Sequence, residues 1–162
     1  MERVAEPETG RLEIPLVGQS RASIELMPVG NAGKGGRIAL GKITEGSCYY
    51  VAMFDHRCLW CRSRAPSWGG IDSVHIGGRT FPLIWVSTYP DGDSAKAFVL
   101  RYGLGGSAFA VASARTSKKL GVYATPSMWV IKDGRVLSTR ESVRPELLRS
   151  APTECTRDVH SP

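Results

Sequence analysis

The sequence predicts an α/β protein in which a central mixed sheet is flanked by helices. Strand-like and helix-like segments alternate through the middle of the chain, from about residue 48 to residue 121. An Asp-Gly turn at residues 133–134 then joins two further strand-like segments. Short alternating stretches between residues 12 and 40, separated by glycine-rich turns, indicate an N-terminal β-hairpin extension.

Three segments have the composition of buried strands. Residues 48–54, CYYVAMF, are almost continuously apolar and rich in aromatic and β-branched side chains, which is typical of a strand covered on both faces. Residues 80–88 and 107–113 follow the same pattern. The later segments SMWVI and RVLST are joined by KDGR, in which Asp-Gly accepts positive φ at low cost. We therefore predict a hairpin there.

Helical segments separate these strands. After the first strand, DHRCLWCRSRAPSW contains helix-forming and polar residues until Pro66, which is expected to end or kink the helix. The next helix is predicted behind a cap at Asp93 or Ser94, and a short one ends at Gly121. The segment RPELLRS is expected to begin a last helix. Alternation of this kind favours parallel strands with helical crossovers, to which the terminal hairpin adds antiparallel edges.

Length and composition fit one globular domain. The 162 residues are 42% hydrophobic and 22% charged, and they are enough for a single core. We predict a flexible lead-in at 1–10, the folded domain at 11–150 and a flexible tail at 151–162. No apolar stretch approaches the roughly 18 residues that a membrane helix needs. No signal peptide is visible, so we expect a cytoplasmic protein if the sequence is complete.

The net charge of +6 raises the question of a nucleic-acid partner. The basic residues are scattered, however, and no nucleic-acid-binding motif accompanies them. We therefore expect no nucleic-acid partner. We also expect the protein to be a monomer.

The pair Cys58 and Cys61 lies where the first buried strand leads into a helix. Two cysteines at i and i+3 in the first turn of a helix share one face and can form a small disulfide ring. The free N–H groups and the dipole at the helix N-terminus favour a thiolate at Cys58. This pattern indicates a redox pair.

Two other interpretations of the pair stay open at this stage. It could be an inert structural disulfide, or it could belong to a metal-binding or metal-delivery module in which His56 is a third ligand. Cys155 and His160 in the predicted tail could complete such a ligand set.

The two remaining cysteines are expected to be bystanders. Cys48 is predicted to be a small apolar residue within its strand. Cys155 is predicted to be exposed, without a partner.

The chain resembles the thioredoxin superfamily, in particular the thiol–disulfide oxidoreductases similar to the TlpA and ResA cytochrome-maturation group. The resemblance covers about residues 37–148 and rests on YYVAMFDHRCLWCRSRAP, LIWVST with SAKAFVLRYGL, and KKLGVYATPSMWVIKDGRVL. It implies a thioredoxin-like sandwich, no bound cofactor, and protein disulfides or dithiols as partners. It also implies reduction of the partner's disulfide and an extracytoplasmic location, periplasmic or membrane-anchored.

The resemblance also implies roles for individual residues. Cys58 is the exposed attacking cysteine and Cys61 the resolving one. Pro126 is a cis-proline that faces them and leaves the backbone groups of Thr125 free to pair with an extended substrate. Trp60, between the two cysteines, is expected to contact the substrate.

The sequence departs from this family at three positions near the pair. Arg57 stands where a tryptophan is usual, Ala52 where thioredoxins bury an acid, and Arg64 where the TlpA and ResA group has a glutamate. The usual proton acceptor for the second cysteine is therefore missing, although Asp55 or His56 could substitute for it.

Cations around the pair have two expected consequences. Arg57 and His56 are predicted to stabilise the thiolate of Cys58 and lower its pKa. Arg57, Arg62 and Arg64 lie within eight residues, so a partner with an acidic surface or a carboxylate near its cysteine is expected.

Overall fold

The computed structural model describes residues 16–29 and 36–156. The predicted lead-in, the first part of the N-terminal strand pattern and the end of the predicted tail, including His160, lie outside these ranges.

Among the described residues, eight strands form one mixed sheet. They are β1 (Glu25–Val29), β2 (Ile38–Ala39), β3 (Cys48–Phe54), β4 (Ser73–Ile76), β5 (Arg79–Ser87), β6 (Ser107–Val111), β7 (Ser127–Lys132) and β8 (Arg135–Arg140).

The strand order is β2-β1-β6-β5-β3-β7-β8, and β4 pairs with β5 outside this path. Strand β5 is parallel to both β3 and β6, whereas all other pairings are antiparallel. The predicted combination of parallel central strands and antiparallel edges is confirmed. The predicted N-terminal hairpin is β1–β2, and because β1 also pairs with β6, this hairpin extends the main sheet.

In ranges 16–29 and 36–156, five short helices and two 3-10 turns lie between and after the strands. The helices are α1 (Leu40–Ile43), α2 (Leu59–Arg64), α3 (Gly92–Tyr102), α4 (Ala114–Leu120) and α5 (Thr153–Thr156), and the 3-10 turns are Ala65–Trp68 and Pro145–Leu147. Within the described residues, none of the helices is both long and apolar enough to cross a bilayer.

The two predicted helix C-termini agree with the structure. Helix α2 gives way to a 3-10 turn at the predicted proline, and Gly121 ends α4 in a left-handed conformation with φ of 73°. The predicted caps of α3 were wrong, because the carboxylate of Asp91 accepts the Ser94 backbone N–H at 3.1 Å. The predicted last helix, RPELLRS, was wrong. Only one 3-10 turn forms there, Pro145–Leu147, and Pro145 stands at its start.

The terminal hairpin has the predicted Asp-Gly geometry. Asp133 and Gly134 both have positive φ, 52° and 79°, which matches the right-handed twist of β7 and β8. The Asp133 carboxylate also accepts the backbone N–H of Gly46 at 2.7 Å, which attaches the turn to the loop before β3.

Alternate residues of β3 enter two different cores, one on each side of the sheet. Tyr50, Ala52 and Phe54 pack with the face covered by α2, and Cys61 of that helix joins the same cluster. Val51 and Met53 pack into the opposite core. Strand β3 is therefore covered on both faces, as its continuous apolarity predicts.

Two expectations about cysteines were wrong. Cys48 and Cys155 form a disulfide with a Cα–Cα separation of 5.7 Å across 107 residues of sequence. Neither is exposed, with 6% and 7% accessibility. Because Cys155 lies on α5, the disulfide attaches residues 153–156 to the start of β3. The domain boundary at residue 150 stays a prediction, although this part of the expected tail is packed.

Strand β4 was not expected from the sequence. Residues 73–76 pair antiparallel with the start of β5 through a turn at Gly77 and Gly78, both with positive φ. His75 lies on this strand and hydrogen-bonds Thr80 at 3.0 Å.

Candidate active site

The end of β3 places Cys58 at the first turn of α2. The Cys58 backbone N–H donates to the Asp55 carbonyl at 2.9 Å, which closes the turn after the strand. The Cys58 sulfur accepts the backbone N–H of Cys61 at 3.2 Å, so this side chain is the N-cap of the helix. Cysteine thus occupies the position at which serine, threonine or aspartate is usual.

The two cysteines differ in access to solvent. Cys58 is partly exposed, whereas Cys61 has 0% accessibility and belongs to the core. Both are thiols, separate from the Cys48–Cys155 disulfide. A reagent or partner can therefore reach Cys58 directly, while Cys61 is reached only through it.

Residues remote in sequence complete the site. The thiol of Cys58 donates to the carbonyl oxygen of Thr125 at 3.3 Å. The bond from Thr125 to Pro126 is cis, as the sequence predicts. The structure therefore brings together the cysteine pair and the Thr125-Pro126 segment, which the sequence analysis had singled out separately.

The pKa values of the two cysteines move in opposite directions. Partial burial alone would raise the pKa of Cys58. Hydrogen bonds from the Thr125 side chain, from the side chain and backbone of Cys61 and from the Trp60 backbone outweigh burial and hold the pKa below its ordinary value. Burial raises the pKa of Cys61 to about 12, partly offset by the backbone of Asp55 and increased further by the neighbouring Cys58 thiolate. The exposed cysteine is thus the more acidic of the pair.

We expect alkylation of Cys58 to report this lowered pKa. Since the thiolate is the reactive form, the rate should reach half its maximum at a pH below about 8.5, which is the ordinary pKa of a cysteine thiol. Thr125→Ala should shift the midpoint upward, because it removes the side-chain hydrogen bond of Thr125, which favours the thiolate, and keeps the backbone carbonyl. Thr139→Ala, an exposed threonine on β8, is the matched control and should leave the midpoint unchanged. A wild-type midpoint at or above 8.5 would contradict the expectation.

A groove of about 270 Å³ lies beside the cysteine pair. The groove-lining residues are Trp60, Arg64, Ala124, Thr125, Pro126, Glu141 and Ser142. Trp60 is 64% exposed, and its neighbour Leu59 is 69% exposed. Exposed apolar side chains of this size next to a reactive thiolate are suited to contact with a partner.

Arg57 forms an ion pair with Asp55. Its guanidinium donates to both carboxylate oxygens of Asp55, at 3.0 and 2.7 Å, and lies 3.7 Å from the centre of the Tyr89 ring. Burial would raise the pKa of Asp55, but the hydrogen bonds and charge of Arg57, with a smaller contribution from His56, lower it. Asp55 is therefore a carboxylate that neutralises Arg57.

His56 packs against the same tyrosine. Its ring lies edge-on to Tyr89 with 5.5 Å between centroids, and its Nδ1 is 4.0 Å from the Asp55 carboxylate. That Arg57 and His56 lower the pKa of Cys58 stays a prediction. Sequence reasoning missed Tyr89, because only the fold brings the end of β5 beside the loop after β3.

The predicted metal ligands do not gather. In the part of the chain that the structure describes, no three His, Cys, Asp or Glu side chains are placed to hold a metal ion. Cys155, considered as a ligand, is committed to its disulfide with Cys48.

Three features define a thioredoxin-like fold. The sheet is mixed, and its central strand leads into a helix that is capped by the first residue of a Cys-x-x-Cys pair. A cis-proline lies beside that pair. Solved structures agree with this class. A secreted Mycobacterium tuberculosis disulfide oxidoreductase homologous to Escherichia coli DsbE matches 75% of this chain and 84% of its own, with a TM-score of 0.55 and 15% identity. Mycobacterium tuberculosis DsbF matches 82% of this chain and 92% of its own, with a TM-score of 0.57 and 14% identity.

A third similar structure is the thioredoxin domain of a thiol-disulfide oxidoreductase from Bacteroides vulgatus. It matches 83% of this chain and 89% of its own, with a TM-score of 0.55 and 15% identity. No protein-family model matches the sequence, and no curated protein matches it either. At these identities the likeness establishes the thioredoxin-like fold.

Proposed function

We propose that this protein is a thiol–disulfide oxidoreductase that reduces disulfides of partner proteins through Cys58 and Cys61, without a bound cofactor. The observation that supports this most is the asymmetry of the pair. A partly exposed cysteine with a lowered pKa is the helix cap, and a buried cysteine with a raised pKa lies one turn further on. Exposure and a lowered pKa suit Cys58 to attack a partner's disulfide, and Cys61, one turn further on, is placed to resolve the mixed disulfide.

The reaction consists of two exchanges. The Cys58 thiolate attacks one sulfur of the partner's disulfide, which forms a mixed disulfide and releases the partner's other sulfur as a thiolate. Cys61 then loses its proton and attacks the Cys58 sulfur, which releases the second partner thiolate and leaves a Cys58–Cys61 disulfide. Two electrons pass to the partner, and an external dithiol must later return two electrons to the pair.

Deprotonation of Cys61 limits the rate of the second exchange. Its thiol is buried, and the pKa of about 12 includes repulsion from the Cys58 thiolate. In the mixed disulfide Cys58 has no charge, so this repulsion is absent and the pKa falls. The partner thiolate released in the first exchange is a base of ordinary thiol pKa and accepts the proton of Cys61.

The proposed location is an oxidising, extracytoplasmic compartment. A similar structure is described as secreted. The Cys48–Cys155 disulfide supports the same location, because disulfides of this structural kind persist in oxidising compartments.

Reduction of insulin by an external dithiol, together with the zinc and copper content of the reduced protein, tests the proposed function. We expect catalysed reduction of insulin and metal well below one ion per chain. Stoichiometric metal without disulfide turnover would instead identify a metal-delivery module that uses His56, Cys58 and Cys61. Oxidation of reduced partners without any reduction of insulin would overturn the proposed direction.

A further inference from the structure

We propose that the groove beside Cys58 selects partner segments by charge, with Arg64 binding an acidic side chain and Glu141 a basic one on the other side of the partner's cysteine. This inference rests on the proposed function and names the substrate class of the same site. The occupant is an extended polypeptide segment that carries the disulfide under attack.

The position of the groove links it to the reaction. Thr125 and Pro126 form part of its lining, and the Thr125 carbonyl accepts a hydrogen bond from the Cys58 thiol. Trp60, which lies two residues after Cys58 on α2, also lines the groove. A segment whose sulfur lies against Cys58 must therefore pass along this groove.

Two opposite charges line the same groove without pairing. Arg64 is the last residue of α2, and Glu141 follows directly after β8. Both side chains are exposed, and neither makes an ion pair with the other or with any residue in 16–29 and 36–156. As far as these described residues are concerned, each can thus pair with a charge on the partner.

The other two arginines near the cysteine pair do not contribute in this way. Arg57 is neutralised by Asp55, and Arg62 is absent from the groove lining. The expected acidic partner surface therefore narrows to one carboxylate on the partner segment, which pairs with Arg64. Glu141 makes the position on the other side of the partner's cysteine unfavourable for a second acid and favourable for lysine or arginine.

Synthetic peptides can test this selection directly. Each peptide has one cysteine held as a mixed disulfide with 2-mercaptoethanol, which is uncharged, and is flanked by Glu and Lys, by Lys and Glu, or by Gln on both sides. The rate of attack by Cys58 is measured for each. We expect one of the two charged orders to react faster than the neutral peptide by about two- to fivefold for each charge, which is the range of exposed ion pairs.

The exchanged double variant Arg64→Glu with Glu141→Arg should prefer the opposite order of charges. Arg62→Glu and Glu146→Arg make the same changes at exposed residues outside the groove lining and should leave the wild-type preference intact. Equal rates for the two orders in wild type, or an unchanged preference in the exchanged variant, would overturn the proposal. Failure of the proposed function is distinguishable, since the wild type would then reduce neither the neutral peptide nor insulin.

Discussion

Cys58→Ser is expected to reduce catalysed disulfide exchange to the rate seen without protein. A serine hydroxyl has no accessible anion at neutral pH and cannot replace the thiolate as nucleophile. The fold should survive this change, because serine is among the preferred N-cap residues and its oxygen can still accept the backbone N–H of Cys61. Loss of activity with an unchanged melting temperature would therefore identify the nucleophile.

Cys61→Ser should give a different defect. Attack by Cys58 remains, but the mixed disulfide cannot be resolved, so covalent adducts with the partner should accumulate and disappear on addition of dithiothreitol. Ser63→Ala, on the same helix, is the control and should retain full turnover. Full insulin reduction by Cys58→Ser, or absence of adducts with Cys61→Ser, would contradict the assigned roles.

The second large effect is expected from loss of the Cys48–Cys155 disulfide. It closes a loop of 107 residues, and for loops of this length the restriction of the unfolded chain is worth about 3–5 kcal/mol. For a chain of this size, Cys155→Ser should lower the melting temperature by about 10–15 °C. Cys48→Ser should lower it by a similar amount, because each change breaks the same bond.

Differential scanning calorimetry of the single and double variants tests this expectation. The double variant should be no less stable than the less stable single variant, since one interaction has been removed in each case. The oxidised wild type compared with the fully reduced wild type is the matched control, because the two differ only at sulfur. Additive losses in the double variant, or a reduced wild type as stable as the oxidised form, would show that the bond itself does not stabilise the fold.

The two disulfide-forming pairs are also expected to differ in reactivity. Cys48 and Cys155 are buried, so mild dithiols should leave them oxidised while they reduce a Cys58–Cys61 disulfide. Mass spectrometry after differential alkylation separates the pairs. Simultaneous reduction of both at low dithiol concentration would show that burial gives the Cys48–Cys155 disulfide no protection.

Local signals determined much of this protein from the sequence alone. The apolarity of β3, the Asp-Gly turn before β8 and the glycine that ends α4 act within a few residues, and each was predicted correctly. The position of Cys58 at the start of α2 has the same origin, because a strand followed by polar, helix-forming residues places the pair at a helix N-terminus. These features need no knowledge of distant partners.

Only the tertiary structure decided which distant residues meet. Three contacts depend on the strand order and on how loops close over the sheet. They are Cys155 with Cys48, Tyr89 with Arg57, and Glu141 with the groove that Arg64 also lines. A cysteine or a charge has no preference that marks its partner when the intervening loop is long, since loop-closure entropy rises only slowly with length. The chemistry of the site was therefore readable from short spacing. Its neutralised arginine, its charged groove and the Cys48–Cys155 disulfide outside it followed from the fold.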